Sequence, residues 1–349
     1  MLKLTVSERT FHFREPAGTS RGVYTTRHSW MVTAIDDDDP EAVGVGECAP
    51  LPQLSCDDLP DYGDVLREMC RMVERKGEID HRLLLPYPSM RFGLETAILR
   101  QQAASDIIFD TPFTRGEVGI PINGLVWMGD YDEMLERMEE KMEKGFRCVK
   151  LKIGAIDFES ELDLMRRIRM RFSPEDIQLR LDANGAFTTG EVMEKLQRLA
   201  VFGIHSIEQP IRQGQWKEMA DVCARSPIPV ALDEELIGVN IPWMKEELLD
   251  AIKPAYIILK PSLHGGLAGT SEWVVMAEKR GIGSWMTSAL ESNVGLSAIA
   301  QFAAHIYGCP VTMPQGLGTG QLFTDNIDAP LEVVGDELCY VAGKTYDTV

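Results

Sequence analysis

Apolar and polar positions follow one rhythm before residue 111 and another after residue 121. In the first part, residues 23–35 and 42–48 are rich in β-branched and aromatic side chains. They flank an Asp- and Pro-containing turn at 36–40, a pattern that predicts two strands paired as a hairpin. Helical periodicity follows at 61–76 and 90–105; in the second segment Leu94, Ile98 and Gln101/Gln102 fall near one face. A stretch punctuated by proline and glycine, 111–121, is the predicted domain boundary.

Beyond Pro121, short apolar runs at 121–126, 149–153, 178–182, 205–207, 230–232, 256–259 and 284–287 alternate with amphipathic segments. Asp130-x-x-Glu133 predicts the capped start of a helix that carries Met134, Leu135, Met138 and Met142 and stops at Gly145. These methionines recur at helical spacing, which makes them a core stripe and not a cofactor box. Thr188-x-x-Glu191 predicts a second capped helix that buries Val192, Leu196 and Leu199 and ends before Gly203. Alternation at this period implies parallel strands joined by right-handed crossovers. Seven or eight such units fit an α/β barrel better than an open sheet.

Composition narrows the function classes. With 349 residues, 44% hydrophobic and 26% charged, the chain is an ordinary globular one. A formal net charge of −19 repels phosphate backbones and argues against nucleic acid as a partner. No apolar run approaches the length of a membrane span, and Met1-Leu2-Lys3-Leu4-Thr5-Val6 turns polar too soon for a signal peptide. Seven cysteines are scattered without a CxxC pair, as expected in a reducing cytoplasm. No GxGxxG or GxxxxGK[ST] follows the early strands, which leaves no nucleotide fingerprint.

In a parallel barrel, reactive groups collect on one rim, where strands end and loops begin. The strand ends carry, in order, Lys150-Leu151-Lys152, Asp182, Glu208, Asp233 and Lys260; from Lys152 onward successive members lie 30, 26, 25 and 27 residues apart. Each gap is one strand–helix unit, so these charges converge on the barrel mouth. Any one acid alone fits a salt bridge or a helix cap, but a structural role for all three would require three coincidences. Three carboxylates facing one cavity need a compensating cation. An all-oxygen set without Cys or His suits a hard ion such as Mg²⁺, with Mn²⁺ as an alternative. Residues two apart on a strand point the same way, so Lys150 and Lys152 enter one cavity. Crowded, partly buried ammoniums disfavour each other's charge. This predicts a lysine shifted from ~10.4 toward about 7–8, where it can act as a base at neutral pH.

The ordered set resembles the enolase superfamily, in its muconate-cycloisomerase-like subgroup, and within it the o-succinylbenzoate synthase family. The resemblance runs through Lys150-Leu151-Lys152-Ile153-Gly154, Asp182-Ala183-Asn184-Gly185, Glu208-Gln209-Pro210, Asp233-Glu234-Glu235 and Lys260-Pro261-Ser262. It continues in Ser288-Ala289-Leu290-Glu291-Ser292 and Gly316-Leu317-Gly318-Thr319-Gly320, and spans most of the chain. It implies a modified (β/α)₇β TIM barrel over 118–319 and an α+β capping domain over 1–117, joined by a returning C-terminal segment, 320–349.

The resemblance further implies Asp182, Glu208 and Asp233 as Mg²⁺ ligands and Lys152 as the acid/base. Lys150 tunes and positions Lys152, and Lys260 is a cation on the opposite face of the substrate. The implied reaction dehydrates a small-molecule carboxylate, the hydroxy-cyclohexadiene precursor in menaquinone biosynthesis, to o-succinylbenzoate. Implied substrate contacts are Asn184, Ser288, Ser292, Gly316, Gly318 and Thr319, although such glycines serve equally as turn residues. Gly18-Thr19-Ser20-Arg21-Gly22 has the place of a mobile lid and also reads as a polar hairpin turn.

The same scaffold supports an N-acylamino acid racemase or a dipeptide epimerase, in which Lys152 and Lys260 both move protons. The Asp-x-Asp of many dipeptide epimerases is missing; Gly316-Leu317-Gly318-Thr319 stands there instead. A cycloisomerase and a barrel kept for binding without catalysis are the remaining alternatives.

Overall fold

The computed structural model describes residues 1–19, 22–127 and 129–346. Three antiparallel strands open the chain in the order β1 (Leu2–Thr19), β2 (Gly22–Asp36) and β3 (Asp39–Cys48). β1 has no counterpart in the sequence pattern because its phase slips. Its inward positions are even-numbered at Leu2, Leu4 and Val6 but odd-numbered at Phe11 and Phe13, so the period of two breaks in mid-strand. Helices α1 (Tyr62–Lys76) and α2 (Pro88–Ala103) pack beside this sheet. α2 starts earlier than its periodicity suggests, since Pro88 is tolerated in a first turn. It lies so close to β3 that a Cβ on Gly46 would stand 1.9 Å from the Gly93 carbonyl oxygen. Only glycine admits that approach.

β4 (Ile120–Pro121) leads into the parallel strands β5 (Gly124–Val126), β6 (Cys148–Lys152), β7 (Gln178–Asp182), β8 (Ile204–Glu208), β9 (Val230–Leu232), β10 (Tyr256–Leu259) and β11 (Gly283–Met286). They are hydrogen-bonded in sequence order. Helices α3 (Tyr131–Glu143), α4 (Phe158–Arg171), α5 (Val192–Ala200), α6 (Trp216–Arg225), α7 (Pro242–Ile252) and α8 (Gly266–Glu278) fill the gaps between successive strands. α9 (Asn293–Tyr307) follows the last. The capping box of α3 forms as expected: Asp130 accepts from the Glu133 N–H and Glu133 from the Asp130 N–H, with Met134 and Met138 buried below. α5 starts later than expected. Glu191 does accept the Thr188 N–H, but residues 189–191 form a turn and the helix begins at Val192.

Two residues close the barrel. The Gln315 N–H donates to the Pro121 carbonyl at 2.8 Å and the Asn123 N–H donates to the Gln315 carbonyl at 2.9 Å. On the other side the Gly316 N–H reaches the Met286 carbonyl at 2.8 Å, and the Ser288 N–H reaches the Gly316 carbonyl at 3.1 Å. The parallel bridges Ile122–Gln315 and Thr287–Gly316 are thus a minimal eighth strand between the two ends of the sheet. The C-terminal segment then touches both parts of the molecule. Phe323 bridges Phe13 of β1, while the hairpin β12 (Leu331–Val334) and β13 (Glu337–Tyr340) pairs with β4. All seven cysteines are free, and among the described residues no helix is long and apolar enough to cross a membrane.

Candidate active site

The barrel's stagger places the charged strand ends. Lys152, Asp182 and Glu208 are direct partners across β6, β7 and β8. Glu208 pairs with Ala231, which leaves Asp233 two residues higher; Tyr256 pairs with the same Ala231, which leaves Lys260 two residues above Asp233. Tilted strands in a closed barrel climb in this way. Even steps keep every side chain on the lumen face, and all five groups, with Lys150, come together there.

Their charges interlock. Lys150 Nζ lies 2.8 Å from Asp182 Oδ2 and 2.8 Å from both Glu208 oxygens; Lys152 Nζ lies 3.6 Å from Asp182 Oδ2; Lys260 pairs with Asp233. Burial alone would discharge Lys150, but Asp182 and Glu208 outweigh it and raise its pKa. The sequence-based expectation of crowded lysines lowered together is therefore reversed at Lys150, because that ammonium faces more acid than base. Lys260 is raised as well: burial works against its charge and Asp233 restores it. Burial opposes ionisation of Asp182, yet Lys150 and Lys152 hold its carboxyl below the ordinary range. Glu208 is the acid that yields, pushed up by burial and by the neighbouring Asp182 charge.

With ammoniums between the acids, no three His, Cys, Asp or Glu side chains among the described residues stand close enough together to hold an ion. The donor chemistry nonetheless suits one. Asp233 Oδ1 and the adjacent Glu234 Oε2 are buried without a hydrogen-bond partner. Such oxygens are costly unless a cation or donor meets them, and the whole set is hard oxygen. Burial and the Asp233 charge push Glu234 up to about 7.

A cavity of about 620 Å³ opens above this layer, lined by Lys150, Lys152, Asp182, Asn184, Asp233 and Lys260 on its floor. Of the remaining expected contacts, Ser288, Gly316, Gly318 and Thr319 also line it. Gly316 has no room for a side chain, since a Cβ would stand 2.4 Å from Thr287 Oγ1. Thr319 Oγ1 is buried without a partner. Ser292 requires a correction. It is absent from the cavity lining and fully buried; its hydroxyl accepts the Val294 N–H as the N-cap of α9 and donates to Glu47. Proximity in sequence to Ser288 does not survive the turn into the helix.

Sequence reasoning missed several lining residues. Trp127 presents its ring 5.6 Å from Lys152 Nζ, and Leu51, Leu54 and Tyr24 come from the N-terminal part. None carries a motif of its own; only Glu234, inside the Asp233-Glu234-Glu235 string, had a signal that could have been followed. Of the candidate lid, Ser20 and Arg21 lie outside the described residues. Arg14 to Ala17, on the same hairpin, line the cavity.

Residues 133–335 match the family model described as enolase C-terminal domain-like. The chain is 45% identical to the o-succinylbenzoate synthase of Desulfotalea psychrophila, an alignment covering 96% of this chain and 98% of that one. The crystal structure of MenC from Desulfotalea psychrophila LSv54 superposes with a TM-score of 0.83 at 40% identity, covering 97% of this chain and 99% of that one. The substrate-liganded L-Ala-D/L-Glu epimerase from Bacillus subtilis shares the fold, with a TM-score of 0.80 at 20% identity over 97% and 95% of the two chains. The chain belongs to the o-succinylbenzoate synthase family of enzymes, within the enolase superfamily.

Proposed function

We propose that this chain is a cytoplasmic enzyme of menaquinone biosynthesis that dehydrates the hydroxy-cyclohexadiene carboxylate precursor to o-succinylbenzoate. The observation that carries the reading is the order of groups around the barrel. Lys152 ends β6 and Lys260 follows β10; between them Asp182 ends β7, Glu208 ends β8 and Asp233 follows β9. A carboxylate lying over the acids would thus have an amine at either side. Lys152 takes the proton alpha to the carboxylate, and the electron pair stays on the substrate. The C–O bond then breaks, Lys152 returns its proton to the departing hydroxyl, and water leaves an aromatic ring. Lys260 stays charged and stabilises the anion from the other face. Trp127, Leu51 and Leu54 supply an apolar wall for the ring, and residues 1–117 with 320–349 form the cap that excludes water.

Superfamily members generally use a divalent metal, and here Asp182, Glu208 and Asp233 would hold Mg²⁺, with Mn²⁺ as a substitute. When bound, that ion supplies positive charge to a carboxylate whose alpha carbon is being deprotonated.

Epimerases share this fold, so the deciding experiment is a direct comparison. Dehydration of the precursor is measured beside racemisation of N-succinyl amino acids and epimerisation of dipeptides. Efficient dehydration is expected. Turnover of the amino-acid substrates with the precursor left untouched would replace this reading with the racemase or epimerase.

A further inference from the structure

We infer that Asn184 and Glu234 form one positioning unit for Lys152 and that Asn184 is not a substrate contact. The Lys152 ammonium donates to Asn184 Oδ1 at 3.0 Å, and Asn184 Nδ2 donates to Glu234 Oε1 at 3.0 Å. Both ends of the amide are therefore engaged within the protein. The Asn184 backbone is committed too: its N–H donates to Asp182 Oδ1 at 3.1 Å, and its φ of 43° lies in the left-handed region. Asn tolerates that conformation better than most residues, and here it brings the amide between Lys152 and the turn after β9.

A lysine needs such a hold. Its flexible four-carbon stem leaves the ammonium many rotamers to lose, and the Asp182 carboxylate is 3.6 Å from Nζ, too far for a close hydrogen bond. Besides Asn184, Nζ approaches that carboxylate and the face of Trp127. Glu234 in turn is buried and anchored on the short helical turn Glu234–Leu236, so the unit ties β6 to the loop after β9 across the barrel mouth.

This inference rests on Lys152 as the proton-moving residue, but not on which carboxylate is the substrate. The test therefore follows alpha-proton exchange in deuterated water, with both the precursor and an N-succinyl amino acid, alongside kcat and KM. In N184A the exchange rate and kcat should fall by about 10²-fold, the scale of a misplaced reacting group, while KM moves only a few-fold. E234A should reproduce most of that loss, and the double variant should be no slower than N184A. E234Q keeps an acceptor oxygen for Asn184 Nδ2 but removes the charge beside Asp233, so its demand for Mg²⁺ should rise while its exchange at saturating Mg²⁺ stays well above that of N184A. It also serves as the buried-site variant if E234A does not fold, since a loss in E234Q as large as in N184A overturns the unit. A raised KM with preserved kcat in N184A makes Asn184 a substrate contact and overturns the inference, as do losses that multiply in the double variant. Unchanged exchange in N184A overturns it alone. A wild-type protein that exchanges neither ligand overturns the proposed function and this inference together.

Discussion

The Ser292 hydroxyl donates to a Glu47 carboxylate oxygen at 2.6 Å, joining residues 245 apart in the chain. Glu47 also accepts from Ser29 Oγ and from the N–H groups of Ser292 and Gly295. An acid from β3 thus sits on the unsatisfied N–H groups at the start of α9, where a negative charge is favoured. Glu95 of α2 does the same for α8, accepting the Leu267 and Ala268 N–H groups. Two barrel helices are capped by carboxylates of the N-terminal part.

Replacing Ser292 by Ala should therefore cost stability and not substrate affinity. The expected loss is about 0.5–2 kcal/mol by urea unfolding, typical of an N-cap. E47Q, which turns a donor toward the Ser292 and Gly295 donors, should lose about 1–3 kcal/mol. A KM that rises in S292A with no change in unfolding midpoint would return Ser292 to the substrate contacts.

Acid should unfold the protein partly through His205. Burial, with the nearby Arg180 charge, lowers its pKa from 6.5 to about 4, and its ring stacks on Tyr256. The folded state holds His205 neutral while the unfolded chain takes up the proton. This contribution is complete above pH 6.5, fades as pH falls toward about 4, and is flat below. Melting temperatures of wild type and H205Q across pH 7 to 4 check it; parallel curves would refute the assignment.

Chelation should abolish turnover, and Mg²⁺ or Mn²⁺ should restore it. D233N, which removes the charge of an acid whose Oδ1 is already unpartnered, should need far more metal for half-maximal activity. Its demand for metal, measured by titration, would have to match wild type for the proposed ligand set to fail.

The two lysines should separate. K152A should lose about 10²–10⁴-fold or more in kcat, as expected for a general base. K260R keeps a cation beside the anion but cannot exchange protons at neutral pH. It should retain a trace of dehydration and no racemisation. Equal losses of exchange in both variants, with both substrates, would favour two proton-moving lysines and hence an epimerase.

The rim of the barrel was legible because a buried parallel strand that ends in a charge is conspicuous: Val149, Leu151 and Leu181 are fully apolar neighbours of Lys150, Lys152 and Asp182. The registers confirm that these ends share one face. β1 was hidden by its mid-strand change of phase. Gln315 and Gly316 were hidden by brevity, since two residues have no period. Ser292 was misplaced because a motif keeps its order in sequence while the chain turns from a loop into a helix. Trp127 and Glu234 become visible only in space, through the groups they approach. The lowered lysine pKa failed at Lys150 for the same reason: the acids that surround it come from two other strands.

The two-residue strand that completes the barrel has a consequence for synthesis. Until residues 315 and 316 have left the ribosome, β5 and whichever barrel strand was made last, in the end β11, are open sheet edges, and Phe13 still waits for Phe323. At ~5–20 residues per second, the interval from β5 to that closure lasts on the order of ten to forty seconds. For that time the nascent chain carries two unpaired edges of the kind that other chains can join. The same ladder that shuts the enzyme makes Gln315, Gly316 and Phe323 the residues on which escape from misassembly depends.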